Sequence, residues 1–389
     1  MNFLFLTILI LIKKKTSSIQ YKLNILIILN IYKKYGSYRC FAKMDNVLIT
    51  GANGFLGSHL VDFLVEKKFC VIALIKPSST PENLSHYLFS NGIKPISEKL
   101  ITIDPSTQIQ TIKKNLIIIR CDLNNKILLE KIIANVKPKY IFHFGAQSKV
   151  IPSWEDPEYT IKTNVIGTIN TFEAIKKHKI KTKVIVACSS AEYGTSSEIG
   201  RSLKETDPLL PIHPYGISKV ATELLTRQYF INFGIETVML RFFNQTGPRK
   251  IGDACSDFII DIAKIELGIK EPMIEVGNLN KYRDITGIKD TLQAIWLAIT
   301  KGAPGEVYNV CSNRKIFIQD LLNIALSLSS KNIKIIDNTP EKLRLTDEDI
   351  ILGDNSKIRN ELGFQITQSI EDLLKGMYKY WIDYFKKKV

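Results

Sequence analysis

The stretch Val47-Leu-Ile-Thr-Gly51-Ala-Asn-Gly54-Phe-Leu-Gly57 decides the fold. A short apolar and β-branched run reads as a buried parallel strand, and the three glycines that follow read as a tight turn. Leu56, Leu60, Val61 and Leu64 then recur at helical spacing. Strand, turn and helix arrive in the order that separates a dinucleotide-binding turn from an accidental glycine triplet. Glycine has no Cβ to hold a phosphate away, so turn N–H groups and a helix N-terminus can face a pyrophosphate. Gly51, Asn53, Gly54, Phe55, Leu56 and Gly57 are therefore the expected cofactor contacts of this turn.

Downstream, strand and helix patterns alternate. A second strand, Cys70–Ile75, runs into Lys76-Pro-Ser-Ser. Many dinucleotide folds place an acid there to hold the adenosine ribose. Lys76, with Ser78 or Ser79, suits a 2′-phosphate instead, which tilts the cofactor toward NADP over NAD; the plainer reading is an exposed lysine at a strand end. Residues 80–113 are mixed and polar around a possible helix or hairpin. A third strand, Leu116–Cys121, ends in Asp122-Leu123, which in this fold class reaches the adenine edge. A fourth, Tyr140–Phe144, ends in Gly145-Ala146-Gln147-Ser148, small residues that suit close approach to a cofactor. Asn164-Val-Ile-Gly167-Thr opens a helix through Ile175, and a fifth strand, Lys183–Cys188, runs into Ser189-Ser-Ala-Glu192-Tyr-Gly194. This alternation predicts a parallel sheet wound on both faces.

Tyr215-Gly-Ile-Ser-Lys219 precedes the helical run Val220, Leu224, Leu225, Tyr229. Residues four apart share a helix face. A phenol of ordinary pKa ~10 is a poor base, but an ammonium at i+4 and an oxidised nicotinamide both favour the phenolate. Tyr215 is thus expected to exchange a proton with a sugar hydroxyl or carbonyl, with Ser189 hydrogen-bonding the same oxygen.

Composition bounds the remaining possibilities. The chain has 389 residues, 45% hydrophobic and 23% charged, and is large enough for two lobes or one large α/β domain. Of the net charge of +15, residues 1–43 contribute eight lysines and arginines and no acid, leaving +7. That remainder reads as a solvated surface, and no nucleic-acid motif accompanies it. The apolar runs Phe3 to Ile12 and Leu23 to Tyr32 fall short of the ~20 residues a bilayer crossing needs. Residues 1–43 read as an upstream extension rather than a targeting segment, with no stable membrane insertion. Six scattered cysteines without a Cys-x-x-Cys pair fit a reducing, cytoplasmic setting. Five dispersed histidines predict no metal.

The glycine turn, the strand-end Ser189 and Tyr-x-x-x-Lys, in this order, resemble the extended short-chain dehydrogenase/reductases that epimerise, dehydrate or reduce nucleotide sugars. The resemblance covers nearly all of Met44 to Phe385. It implies a Rossmann-type doubly wound sheet over residues 44–240 and, over 241–389, mainly a smaller C-terminal nucleotide-sugar-binding lobe. It also implies a catalytic triad of Ser189, Tyr215 and Lys219, with Lys219 on the nicotinamide ribose and Asn164 supporting the site. Arg241-Phe-Phe-Asn244-Gln-Thr-Gly-Pro-Arg249, Val276-Gly-Asn278-Leu, Arg283-Asp284 and Gly305-Glu-Val-Tyr-Asn-Val310 look like the GDP-mannose branch, particularly GDP-4-keto-6-deoxymannose reductases. By that resemblance Gln147, Ser148, Asn244, Arg249, Asn278, Arg283, Arg344 and Asp347 face a GDP-hexose. Two helices per subunit, one carrying Tyr215, would form a homodimer. Dehydratases of the family commonly carry a glutamate two residues after the strand-end hydroxyl; that position is Ala191, with Glu192 next door. C4-ketone reduction is therefore expected ahead of 4,6-dehydration, with 4-epimerisation third.

Overall fold

The computed structural model describes residues 44–89, 109–113, 115–337, 339 and 350–388. Eight strands form the central sheet: β1 (Asn46–Thr50), β2 (Cys70–Ile75), β3 (Ile109–Lys113), β4 (Leu116–Arg120), β5 (Tyr140–His143), β6 (Lys183–Ser189), β7 (Glu236–Phe242) and β8 (Val307–Val310). Their spatial order is β8-β7-β6-β5-β1-β2-β4-β3. All neighbours run parallel except β3, which pairs antiparallel with β4. The expected doubly wound sheet is present, and the stretch before Leu116 adds a hairpin edge to it.

Strand alternation sorts the two faces. Val47 and Ile49 of β1 join a core with helices α1 (Phe55–Glu66) and α5 (Ile288–Lys301). Leu48, between them, joins a second core with α2 (Lys126–Val136), α3 (Gly167–Lys177) and Tyr229 of α4 (Pro214–Phe233). Each such Leu or Ile withdrawn from water contributes roughly 2 kcal/mol. The helix expected to open at Asn164 starts earlier: Pro157–Ile161 leads through a π-helical turn, Lys162–Ile166, into α3. Asn164 sits on that widened turn, which gives it a reach that a regular helix would not.

A cut after residue 240 does not divide the chain in two. Between β7 and β8 the chain leaves to build the lobe and then returns, because the parallel partner of β7 is β8 and the helix covering that edge is α5. Ile358, Leu362 and Phe364 also return to the first core. The lobe has its own core of Ala254–Glu266, Ile318–Leu326 and the final helix Ile370–Lys386, where Leu373, Leu374, Met377 and Trp381 form the buried stripe. No helix among the described residues is long and apolar enough to cross a membrane.

Candidate active site

The glycines of the first turn have separate causes. Gly51 has φ +68°, and a Cβ there would stand 2.8 Å from the Gly145 backbone. A Cβ on Gly57 would stand 2.3 Å from the Gly51 carbonyl, so its absence lets α1 pack on the turn. Gly54 has an ordinary φ of −70°, and its Cβ would meet nothing nearer than the Gly51 oxygen at 3.1 Å. What Gly54 leaves is open space before the N-terminus of α1, a helix with no side-chain cap and no acid in its first turn. Uncapped N–H groups facing a cradle that a side chain would fill suit a dinucleotide pyrophosphate.

Around this cradle the expected residues take distinct places. The Asn53 amide donates to Thr80 O (2.6 Å) and Ser79 Oγ (2.9 Å), tying the turn to the loop after β2. Phe55 meets His59 edge to face, and Leu56 packs on the first core. Lys76 is exposed, its Nζ 2.8 Å from Tyr159 Oη. Beside it lies a cation the sequence reading missed: Arg120 Nη1 donates to Pro77 O and Ser79 O, both at 2.7 Å. Its only sequence signal was its place at the end of β4. Asp122 Oδ1 accepts from Asn124 N–H, and Leu123 packs under Gly145, whose N–H donates to Thr50 Oγ1. Ala146 is half-buried and Ser148 exposed. Asn164 accepts from Gln147 N–H (2.8 Å) and donates to Gln147 O (2.9 Å) and Ser218 Oγ (2.8 Å), so its amide clamps the end of β5 to the start of α4. The Gln147 side chain itself holds the Lys149 backbone and Thr160 Oγ1.

The catalytic corner is the meeting of β6 with α4. Ser189 ends β6, and its side chain acts on the Tyr215 hydroxyl in the direction that favours the phenolate. Lys219, one turn further along α4, is buried and donates to Ala187 O at 2.7 Å, with its Nζ 6.0 Å from the Tyr215 ring centroid. Desolvation lowers the lysine pKa and pushes the Tyr215 phenol up to about 12. Lys219 gives one of its three N–H donors to a backbone carbonyl and keeps its charge, while burial is the largest influence on the phenol and opposes the phenolate. The resting tyrosine is a proton donor.

His213 caps α4, accepting from Gly216 N–H through Nδ1 (2.9 Å), and packs between Trp154 and Tyr215. Sequence reading gave no reason to place that imidazole or indole at the site. Glu192 is fully buried, and its Oε1 accepts from Ser189 N–H at 2.7 Å. With Cys188 and Glu223 it offers ligand atoms within 4.8 Å of one another. Arg241 lies beside these groups, donating from Nε (2.8 Å) and Nη2 (2.6 Å) to Glu223.

A separate cavity of about 210 Å³ lies in the lobe and is lined by Asn244, Asn278 and Arg283, with Thr246, Glu275 and Lys281. It unites three of the expected substrate residues. Arg249 is elsewhere: it pairs with Asp62 of α1 at 2.6 Å and pins the loop after Thr246 to the cofactor helix. Arg344 and Asp347 lie outside the described residues. Asp284 is buried and accepts from Ser312 N–H (2.6 Å), Ser312 Oγ (2.7 Å), Asn313 N–H (2.9 Å) and Gly353 N–H (3.2 Å). Desolvation still raises its pKa to about 6.

The chain is similar to known proteins over most of its length. GDP-6-deoxy-D-mannose reductase of Pseudomonas aeruginosa is 26% identical over 245 residues, 63% of this chain and 80% of the relative. GDP-mannose 4,6 dehydratase of Cricetulus griseus is 29% identical over 354 residues, 85% of this chain and 89% of the relative. In fold, the chain superposes on RMD from Pseudomonas aeruginosa complexed with NADPH, with a TM-score of 0.71, 22% identity and coverage of 88% and 100% of the two chains. Residues 48–377 match the family described as GDP-mannose 4,6 dehydratase, and the chain belongs to that family.

Proposed function

We propose that this protein is an NAD(P)H-dependent enzyme that reduces the C4 ketone of a GDP-6-deoxyhexose, GDP-4-keto-6-deoxymannose being the substrate tested first. One observation carries the choice of reduction over dehydration. The position two residues after Ser189 is Ala191, and the neighbouring carboxylate, Glu192, is wholly buried behind the strand end. Eliminating the C6 hydroxyl calls for an acid at the sugar, and this corner does not present Glu192 there. Both relatives named above act on GDP-linked sugars by name, which supports the nucleotide.

Gly51, Gly54, Gly57 and the N-terminus of α1 would hold the pyrophosphate, and the exposed Lys76 with Arg120 favours the 2′-phosphate of NADP. The nicotinamide supplies the hydride. Tyr215, kept protonated by its buried setting, gives its phenolic proton to the oxygen at C4, and Ser189 hydrogen-bonds the same oxygen. Lys219 would hold the nicotinamide ribose, and its ammonium favours the phenolate left once Tyr215 has given up its proton. Arg283 and Asn244 bind the diphosphate, for which a planar guanidinium with parallel donors is suited.

The outer face of α4 exposes Ile217 (50%), Leu224 (56%) and Ile231 (65%), seven residues apart, as a second copy packed helix to helix would require. This supports a homodimer. The five described cysteines are buried free thiols, as a reducing cytoplasm permits. Purified protein given GDP-4-keto-6-deoxymannose should consume NADPH. If it instead converts GDP-mannose into a ketone without added reductant, the assignment passes to the dehydratase.

A further inference from the structure

Behind Ser189 lies a closed polar cluster that the reduction does not consume. Glu192 Oε1 accepts from Ser189 N–H at 2.7 Å, while Ser189 Oγ accepts from Ala191 N–H at 3.2 Å. These reciprocal bonds fix both the backbone and the side chain of the residue that touches Tyr215. Glu192 Oε2 has no hydrogen-bond partner and stands 3.6 Å from Arg241 Nε. The guanidinium is otherwise engaged. Nε and Nη2 take both Glu223 oxygens, and Nη1 takes Tyr193 Oη (2.8 Å) and Glu205 O (3.0 Å). Glu192, Glu223 and Arg241 are 0%, 6% and 3% exposed.

The Glu192 and Glu223 carboxyl oxygens lie within 4.8 Å of one another, Glu223 already holds the Arg241 donors, and Lys219 is bonded to Ala187 O, so two bare carboxylates sealed from water would repel each other with Oε2 unpaired. A single proton on Oε2 removes that repulsion and makes it a donor toward Glu223. We propose that Glu192 is a positioning residue for Ser189 and works as an uncharged acid that shares one proton with Glu223. Burial and the Glu223 charge both push its proton affinity up, in agreement. The groups facing it are Cys188 from β6, Tyr215, Lys219 and Glu223 from α4, and Arg241 from β7, while Tyr193 and Glu205 from the intervening loop face Arg241. An ionised Glu192 would raise the proton affinity of Tyr215 and hold back its proton. The uncharged form keeps Ser189 in place without that penalty.

This inference rests on the proposed ketone reduction only for its kinetic readout. Glu192→Gln retains both the acceptor and the neutral state. It should turn over within about threefold of wild type, with a superimposable pH profile from about pH 6 to 9. Glu192→Leu loses the acceptor, and kcat should fall about tenfold, the effect of one hydrogen bond, with KM for the sugar nucleotide unchanged. Infrared difference spectra of the resting wild type against Glu192→Gln should show loss of a protonated-carboxyl band at neutral pH. That band is read without substrate or turnover, so it decides the proton's place even if the sugar nucleotide proves to be another. A pH profile displaced in Glu192→Gln, or no protonated carboxyl lost with it, overturns the proposal.

Discussion

Two corners of the molecule each bury a carboxylate at a strand end, and they solve the problem differently. At the lobe cavity, Asp284 receives four donors from the 312–313 and 353 segments, so backbone N–H groups do most of the work of holding the charge. At the catalytic corner, Glu192 receives one backbone N–H and leans on a guanidinium that another carboxylate has already taken. The first arrangement is a structural knot beside the substrate cavity. In the second, one carboxyl oxygen is left without a donor, next to the residues that move a proton. The contrast separates residues that shape the pocket from residues that govern acid–base chemistry.

The largest effect should come from the catalytic corner. Tyr215→Phe removes the proton donor and should lower kcat by about 10²–10⁴-fold, while fluorescence titration finds NADPH affinity nearly unchanged. A variant that still turns over at wild-type rate would erase the distinction between the corners.

Next comes stability at the other corner. The folded pKa of Asp284, about 6, exceeds its ordinary 3.8. The folded state therefore holds the extra proton between these values, and stability falls as pH rises through that window. Relative to Asp284→Asn, which cannot ionise, wild type should lose up to about 3 kcal/mol between about pH 4 and pH 6 and little thereafter. Denaturant midpoints of both proteins at several pH values give the difference, and parallel curves would refute the assignment. The smallest effect is expected for Arg283→Lys. Loss of the planar fork should raise KM for the sugar nucleotide by about tenfold and leave kcat intact. A fall in kcat with constant KM would move Arg283 into the catalytic corner.

What the chain revealed before folding was its local order. Glycines 51, 54 and 57, the strand alternation and the Tyr215–Lys219 spacing each depend on neighbours within a turn or two, which hydrophobic periodicity and turn chemistry record. The missed features are contacts between distant segments. Arg120 serves a turn more than 40 residues earlier, and Arg241 joins Glu223, Tyr193 and Glu205 from three different segments. Asp284 was read only as a neighbour for Arg283, because nothing near it announces the 312–313 and 353 donors. The burial of the phenol was hidden for a related reason: sequence spacing showed the ammonium at i+4, whereas only the packed site shows how thoroughly water is excluded.

The late arrival of β8 has a mechanical consequence. Because the chain threads out of the sheet after β7 and back into it at Val307, opening the cleft between cofactor and sugar must bend several backbone crossings together. A protease nick near residue 240 would cut β7 itself and release no free-standing nucleotide module; the broken strand would open a sheet margin, a template for sticking to other chains. The two halves of the cleft are thus bound to fold, and to fail, as one body.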